Sequence, residues 1–141
     1  MNGMNEGVVP VDYLSREIIE EARTRGLTIS CAESCTGGLL AGAITAVAGS
    51  SDVFAGGVVS YSNRSKSRVL KVPESLIREH GAVSLECALA MARGAMALFE
   101  SDITCAITGI AGPVTAAVGA MMAGEAMKLI AGYGVPLLGR V

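Results

Sequence analysis

Residues 27–40 read LTISCAESCTGGLL, a run of β-forming residues that ends in Glu-Ser-Cys-Thr and continues as a glycine-led helical pattern. This pattern predicts a strand over 27–32, a tight turn, and a helix over 38–47. A hydroxyl on such a turn is exposed, and the unpaired N–H groups of the helix can hold an anion or a developing oxyanion. Ser34 is therefore a candidate nucleophile. The alternative is that Ser34 or Thr36 caps the helix, and the local pattern alone favours capping.

The rest of the chain alternates between helical and strand-like segments. Helices are predicted over 11–24, 64–70, 74–79 and 84–98, and strands over 53–61 and 103–108. The alternation predicts an α/β fold: a three-layer α/β/α domain with a mostly parallel central sheet flanked by helices. The third strand is continuously apolar, so we expect both of its faces to be covered.

Composition limits the class of protein. The chain has 141 residues, of which 51% are apolar and 17% charged, which predicts a single domain with a large core. The formal net charge of −2, with acidic and basic residues interspersed, argues against a nucleic-acid partner. Residues 1–10 are expected to form a flexible leader and contain no secretion signal.

The cysteine pattern argues against a metal site. No two cysteines have Cys-x-x-Cys spacing and there is one histidine, His80, so no zinc site is predicted. We expect reduced core cysteines in a cytoplasmic protein. The cysteines are Cys31, Cys35, Cys87 and Cys105.

Three polar turns follow the predicted strands, at 33–38, 61–66 and 108–112. Ligands of parallel sheets bind at the carboxyl ends of the strands, so we expect these turns to form one site. With His80 expected as a solvated residue at the end of a helix, the available base for Ser34 is Lys66. Lowering a lysine pKa from about 10.4 to about 7.5 requires roughly 4 kcal/mol of desolvation or nearby positive charge. Taken alone, the segment around Lys66 favours a surface lysine instead.

Several motifs occur in an order and spacing that resemble one known family. They are AESCTGG at 32–38, AGSS at 48–51, YSN at 61–63 with Lys66, HGAVS at 80–84, and TGIAGP at 108–113. Over about residues 10–113 the chain resembles the CinA C-terminal domain family of nicotinamide-nucleotide amidohydrolases. That resemblance implies hydrolysis of the carboxamide of nicotinamide mononucleotide to nicotinic acid mononucleotide and ammonia.

The resemblance also implies residue roles. Ser34 is the implied nucleophile and Lys66 its base, with Tyr61 nearby to orient or relay a proton. The route implies no metal or cofactor, and the implied partner is a small pyridine nucleotide. The residues implied to hold the oxyanion or the substrate are Glu33, Thr36, Gly37, Gly38, Asn63, Thr108 and Gly109.

Residues 114–141 do not resemble that family. They are similar instead to the C-terminal part of MoeB/ThiF-type adenylating enzymes, without the ATP-binding or catalytic cysteine motifs, so the chain looks composite. We predict an apolar helix over 114–131, then a turn and a strand, all within a single domain of residues 11–141. Glu125 and Lys128 argue against a membrane span.

An exposed sheet edge predicts a homo-oligomer, and a catalytically silent nucleotide-binding or oligomerisation module remains the alternative function.

Overall fold

Five α-helices and three β-strands follow one another in residues 10–109, the part of the chain that the computed structural model describes. The predicted leader, apart from Pro10, and the predicted helix, turn and strand of 114–141 lie outside these residues. Every predicted element within them is confirmed to within two residues at each end. The helices are α1 (Val11–Arg25), α2 (Leu39–Thr45), α3 (Asn63–Leu70), α4 (Glu74–His80) and α5 (Leu85–Phe99); the strands are β1 (Ile29–Glu33), β2 (Phe54–Val59) and β3 (Ile103–Ile107).

The three strands form a parallel sheet in the order β2-β1-β3. Successive residues of β1 point to opposite faces. Cys31 packs into a cluster with residues of α1 and α2, whereas Ala32 packs into a second cluster with residues of α3 and α5. Helices therefore cover both faces, and the predicted α/β fold with its parallel sheet is confirmed.

Burial differs between the strands in a way that the sequence did not predict. All five residues of β1 are buried, whereas four of the five residues of β3 are only half-buried. Within residues 10–109 β3 lies at the edge of the sheet. Ile107 and Cys105 nevertheless pack against the cluster with α1 and α2, and Ala106 packs against the cluster with α3 and α5, so both faces of β3 contact helices as expected, although they are only partly buried. Among the described helices, none is long and apolar enough to cross a membrane.

Candidate active site

The turn after β1 meets the ends of both neighbouring strands. The N–H of Ser34 donates a 2.9 Å hydrogen bond to the carbonyl oxygen of Ile107, at the end of β3. The N–H of Ser60, just after β2, donates a 2.7 Å bond to the carbonyl oxygen of Glu33. The carboxyl ends of the three strands are thus joined directly, and the expected gathering is confirmed for the first two polar turns and for residues 108–109 of the third.

Lys66 reaches this edge from α3. Ser62 caps the helix through a reciprocal pair of hydrogen bonds with Ser65, which fixes where α3 begins. Lys66 and Leu70, one turn apart, are the buried residues of this helix. The Lys66 side chain points inward and is 2% exposed. The surface lysine that the local sequence favours is therefore wrong, because Lys66 lies on the one face of α3 that packs against the protein.

The amine of Lys66 contacts Ser34. Its Nζ lies 2.9 Å from Ser34 Oγ, 2.9 Å from the carbonyl oxygen of Ser60 and 3.3 Å from the carbonyl oxygen of Tyr61. Ser34 itself is 5% exposed. A buried hydrogen bond thus joins a serine hydroxyl on the turn after β1 to a lysine amine on helix α3.

The surroundings of Lys66 disfavour its charge. No carboxylate within residues 10–109 forms an ion pair with Lys66. Burial lowers the pKa of Lys66, and the nearby Cys87 and Cys35 oppose that shift without cancelling it. A neutral amine has two hydrogens and one lone pair. The two carbonyl oxygens accept the hydrogens, so the lone pair is left for the hydroxyl hydrogen of Ser34.

The N-terminus of α2 is capped by Glu33 and not by Ser34 or Thr36. The Glu33 carboxylate is 1% exposed and accepts hydrogen bonds from the N–H groups of Gly38 (3.2 Å), Leu40 (3.2 Å) and Ala41 (2.9 Å). The capping alternative for Ser34 and Thr36 is therefore wrong. These contacts give Glu33 a positioning role, and its predicted contact with substrate stays a prediction.

Two of the expected N–H donors beside Ser34, those of Gly37 and Gly38, already have acceptors, whereas that of Thr36 does not. The N–H of Gly37 donates to the carbonyl oxygen of Ser34 at 3.1 Å, and that of Gly38 is taken by Glu33. The N–H groups of Cys35 and Thr36 have no oxygen acceptor among the described residues. Sequence reasoning missed Cys35, although the residue after a nucleophile is a common oxyanion donor.

The side chains of Cys35 and Thr36 also carry polar groups beside Ser34. Burial raises the pKa of the Cys35 thiol, and the N–H groups of Cys35 and Thr36 act on the sulfur in the opposite direction. The hydroxyl of Thr36 is buried and has no hydrogen-bond partner in the described part of the chain. Among residues 10–109, therefore, two N–H groups without an oxygen acceptor and one hydroxyl without a partner lie beside Ser34.

Tyr61 and Asn63 lie at the rim. Tyr61 is 61% exposed, and within residues 10–109 its hydroxyl makes no hydrogen bond to Ser34 or Lys66; the residue contacts Lys66 through its carbonyl oxygen. Asn63 is the exposed first residue of α3 and lines a groove of about 480 Å³ between α3 and α4. The predicted roles of both side chains stay predictions.

The third turn packs against the first. Thr108 donates a 2.7 Å hydrogen bond from Oγ1 to the carbonyl oxygen of Ala82, which ties the end of β3 to the segment before α5. A Cβ added to Gly109 would lie 2.9 Å from Cys35 Sγ, so a larger residue there would require the Cys35 side chain to move. Residues 110–113 of the predicted loop lie outside the described residues.

The histidine is away from this site. His80 is the last residue of α4, followed by Gly81, and its imidazole lies 3.8 Å from the carboxylates of Glu79 and Glu86. This is the exposed helix end expected from the sequence. Within residues 10–109, no group of three or more His, Cys, Asp or Glu side chains is arranged to hold a metal ion.

The sequence matches one protein family over most of its length. Residues 11–129 match the family described as the CinA C-terminal domain. A CinA-like protein of Citrifermentans bemidjiense is 59% identical over 91 residues, which are 64% of this chain and 22% of that protein. A CinA-like protein of Synechococcus sp. (strain RCC307) is 49% identical over 102 residues, 72% of this chain and 24% of that protein. The chain thus spans about a quarter of the length of these curated relatives.

Solved structures share the fold. A competence-damaged protein (CinA) superfamily protein from Klebsiella pneumoniae superposes with a TM-score of 0.85 at 28% identity, covering 88% of this chain and 97% of that one. A competence/damage inducible protein from Agrobacterium tumefaciens superposes with a TM-score of 0.71 at 45% identity, covering 76% of this chain and 66% of that one. The predicted likeness to MoeB/ThiF-type enzymes falls on residues 114–141, outside the described residues, and the family match extends through residue 129.

Proposed function

Because this chain belongs to the CinA C-terminal domain family, we propose that it is an amidohydrolase that converts nicotinamide mononucleotide to nicotinic acid mononucleotide and ammonia. The observation that carries the proposal is the buried contact of 2.9 Å between Lys66 Nζ and Ser34 Oγ. Among residues 10–109 this lysine has no carboxylate partner, and two carbonyl oxygens hold it, which are the surroundings that a neutral general base needs.

The first half-reaction acylates Ser34. Neutral Lys66 takes the hydroxyl proton as Ser34 Oγ attacks the carboxamide carbon, and the carbonyl oxygen becomes an oxyanion. The N–H groups of Cys35 and Thr36, which have no oxygen acceptor among residues 10–109, are the proposed donors to that oxyanion. Lys66 then gives its proton to the leaving nitrogen. The carbon–nitrogen bond breaks, ammonia leaves and an ester to Ser34 remains.

The second half-reaction releases the acid. Lys66, neutral again, takes a proton from a water molecule that attacks the ester carbon. The same N–H groups hold the second oxyanion, and collapse of the intermediate breaks the bond to Ser34 Oγ, which recovers its proton from Lys66. The net change is one amide and one water converted to one carboxylic acid and one ammonia.

The direct test compares ammonia release from nicotinamide mononucleotide between the protein and four variants. Ser34→Ala and Lys66→Met are each expected to lower kcat/KM by at least about a thousandfold, because each removes a partner of the nucleophile–base pair. Ser75→Ala, on exposed α4, and Lys71→Met, at the exposed end of α3, are matched controls expected to stay within about twofold. Equal rates for Ser34→Ala and Ser75→Ala would contradict the proposal.

A second candidate is a catalytically silent module that binds a partner subunit. The observation favouring it is a row of exposed apolar side chains on one face of α5: Leu85 is 71% exposed, Leu89 47% and Met96 40%. A second copy of the chain is the proposed partner. This candidate predicts a stable homo-oligomer without ammonia release. Light scattering that shows a monomer at micromolar concentration, together with turnover, would rule it out.

A further inference from the structure

Helices α3 and α5 make an unusually close contact at Gly94. A Cβ added to Gly94 would lie 1.9 Å from the carbonyl oxygen of Leu70, 2.7 Å from its carbonyl carbon and 2.9 Å from its Cα. All three atoms are backbone, so no side-chain rotation relieves the overlap. Any residue larger than glycine must separate the helices by on the order of 1 Å before the atoms reach ordinary contact distance. Glycine is a poor helix former, and this contact is the physical reason that the position carries no side chain.

The contact acts on the turn of α3 that carries the proposed base. Lys66 precedes Leu70 by four residues, so the two lie on one face of the helix. The carbonyl oxygen of Lys66 accepts the N–H groups of Lys71 and Val72 at the end of the helix. The Lys66 backbone and the Leu70 carbonyl therefore belong to one hydrogen-bonded turn, and a displacement at Leu70 is transmitted to Lys66.

The lysine tolerates little displacement. Its Nζ makes contacts of 2.9, 2.9 and 3.3 Å with atoms of the turns after β1 and β2. We propose that Gly94 is a positioning residue for Lys66: the missing side chain lets α3 approach α5 closely enough to hold Nζ on Ser34 Oγ. This inference rests on the proposed function, because it assigns Gly94 a part in activating the nucleophile. Gly94 touches neither reacting group.

The chain offers a matched control. Gly42 lies inside α2, and a Cβ added there meets nothing within 4 Å. Gly42→Ala and Gly94→Ala make the same chemical change inside a helix, and only the second meets the backbone of another element. Ala90→Val, one turn before Gly94 on the same groove between α3 and α5, is a second variant for the case in which Gly94→Ala does not fold.

Two measurements test the proposal. One is the rate at which a fluorophosphonate probe labels Ser34, located by mass spectrometry and corrected for the folded fraction. The other is the pKa of Lys66 from NMR titration of labelled lysine, which is tractable because the sequence has three lysines. We expect Gly94→Ala to slow labelling about a hundredfold and to move the pKa of Lys66 back toward 10.5. Gly42→Ala is expected to stay within about twofold in labelling and to leave the pKa unchanged.

The outcomes distinguish failure of the positioning role of Gly94 from failure of the proposed amidohydrolase function. If folded Gly94→Ala, or Ala90→Val in its place, labels like Gly42→Ala and keeps the wild-type pKa of Lys66, the positioning role is overturned. If the wild type does not label at Ser34 while the pKa of Lys66 still moves in Gly94→Ala, the positioning role stands and the proposed function fails. A purely structural glycine would lower stability without changing either readout in the folded fraction.

Discussion

Oε1 of Glu33 accepts a 2.9 Å hydrogen bond from the N–H of Ala41, and through this contact the last residue of β1 holds the first turn of α2. The carboxylate is buried, and its negative charge faces the positive end of the helix. The turn that carries Ser34 is enclosed between these two residues. The position of the candidate nucleophile therefore depends on a side chain that does not contact it.

Glu33→Ala is expected to lower the free energy of unfolding by about 3 kcal/mol or more, because it leaves buried N–H groups without an acceptor. Glu33→Gln keeps one acceptor oxygen and is expected to cost less. The control is Glu86→Ala on the exposed face of α5, expected to change the free energy by at most about 1 kcal/mol. Urea unfolding measures all three, and equal midpoints for Glu33→Ala and Glu86→Ala would contradict the anchoring role.

Two helix ends have backbone conformations that predict opposite effects of substitution. Glu100 ends α5 with φ of 51°, a left-handed conformation that side chains disfavour, whereas Gly26 ends α1 with φ of 65°. Glu100→Gly is expected to stabilise the protein by up to about 1 kcal/mol, and Gly26→Ala to destabilise it by a similar amount. A Cβ at Gly26 meets nothing within 4 Å, so the second variant isolates backbone strain. Thermal unfolding measures both variants. Midpoint temperatures that shift in the same direction would show that backbone strain does not determine the effects of these substitutions.

The order of elements and the meeting of the turns could be predicted from the sequence because the signals are local. Hydrophobic periodicity marks the helices, Gly26 and Gly81 end two of them, and Ser62 and Ser84 cap two others. Because the carboxyl ends of parallel strands lie at one edge of a sheet, the three turns that follow the strands are predicted to lie close together. No long-range information was needed for that part.

The chemistry inside the turns could not be predicted in the same way. The exposed neighbours of Lys66, such as Arg64 and Arg68, give the segment a surface pattern, and only the packing of α3 shows which face is buried. Which side chain accepts hydrogen bonds from the N-terminus of α2 depends on the path of the turn after β1. That path places the Glu33 carboxylate beside the first N–H groups of the helix. Nearby serine and threonine side chains have the same capping propensity in sequence, so propensity could not identify the carboxylate.

The lowered pKa of Lys66 predicts a pH dependence of stability. An unfolded lysine keeps its proton up to a pKa of about 10.4, whereas the folded one loses it earlier because burial disfavours the charge. Between the two pKa values the unfolded state binds more protons, so this group's contribution to stability rises with pH. The difference in unfolding free energy, wild type minus Lys66→Met, is expected to rise with pH in that window and to be flat below it.

Buried thiols make this difference measurement necessary. Burial raises the pKa of Cys31, Cys35, Cys87 and Cys105, so above about pH 8.5 the unfolded thiols lose protons that the folded ones keep. That contribution lowers stability as pH rises, in both proteins alike, and largely cancels in the difference. Urea unfolding between pH 7 and 10 supplies the values. A flat or falling difference would mean that Lys66 keeps its ordinary pKa in the folded protein.

The same pKa predicts the pH dependence of the proposed reaction. Lys66 accepts the Ser34 proton only when neutral, so kcat/KM for nicotinamide mononucleotide is expected to rise with pH along a one-proton limb whose midpoint lies below 10.5. Lys66→Arg stays charged, so its kcat/KM is expected to be about 10²- to 10⁴-fold lower and to show no rise with pH. Lys71→Met, which changes an exposed lysine, is expected to keep the wild-type midpoint. A wild-type rate that does not change between pH 6 and 10, or a limb that persists in Lys66→Arg, would assign the proton transfer to another group.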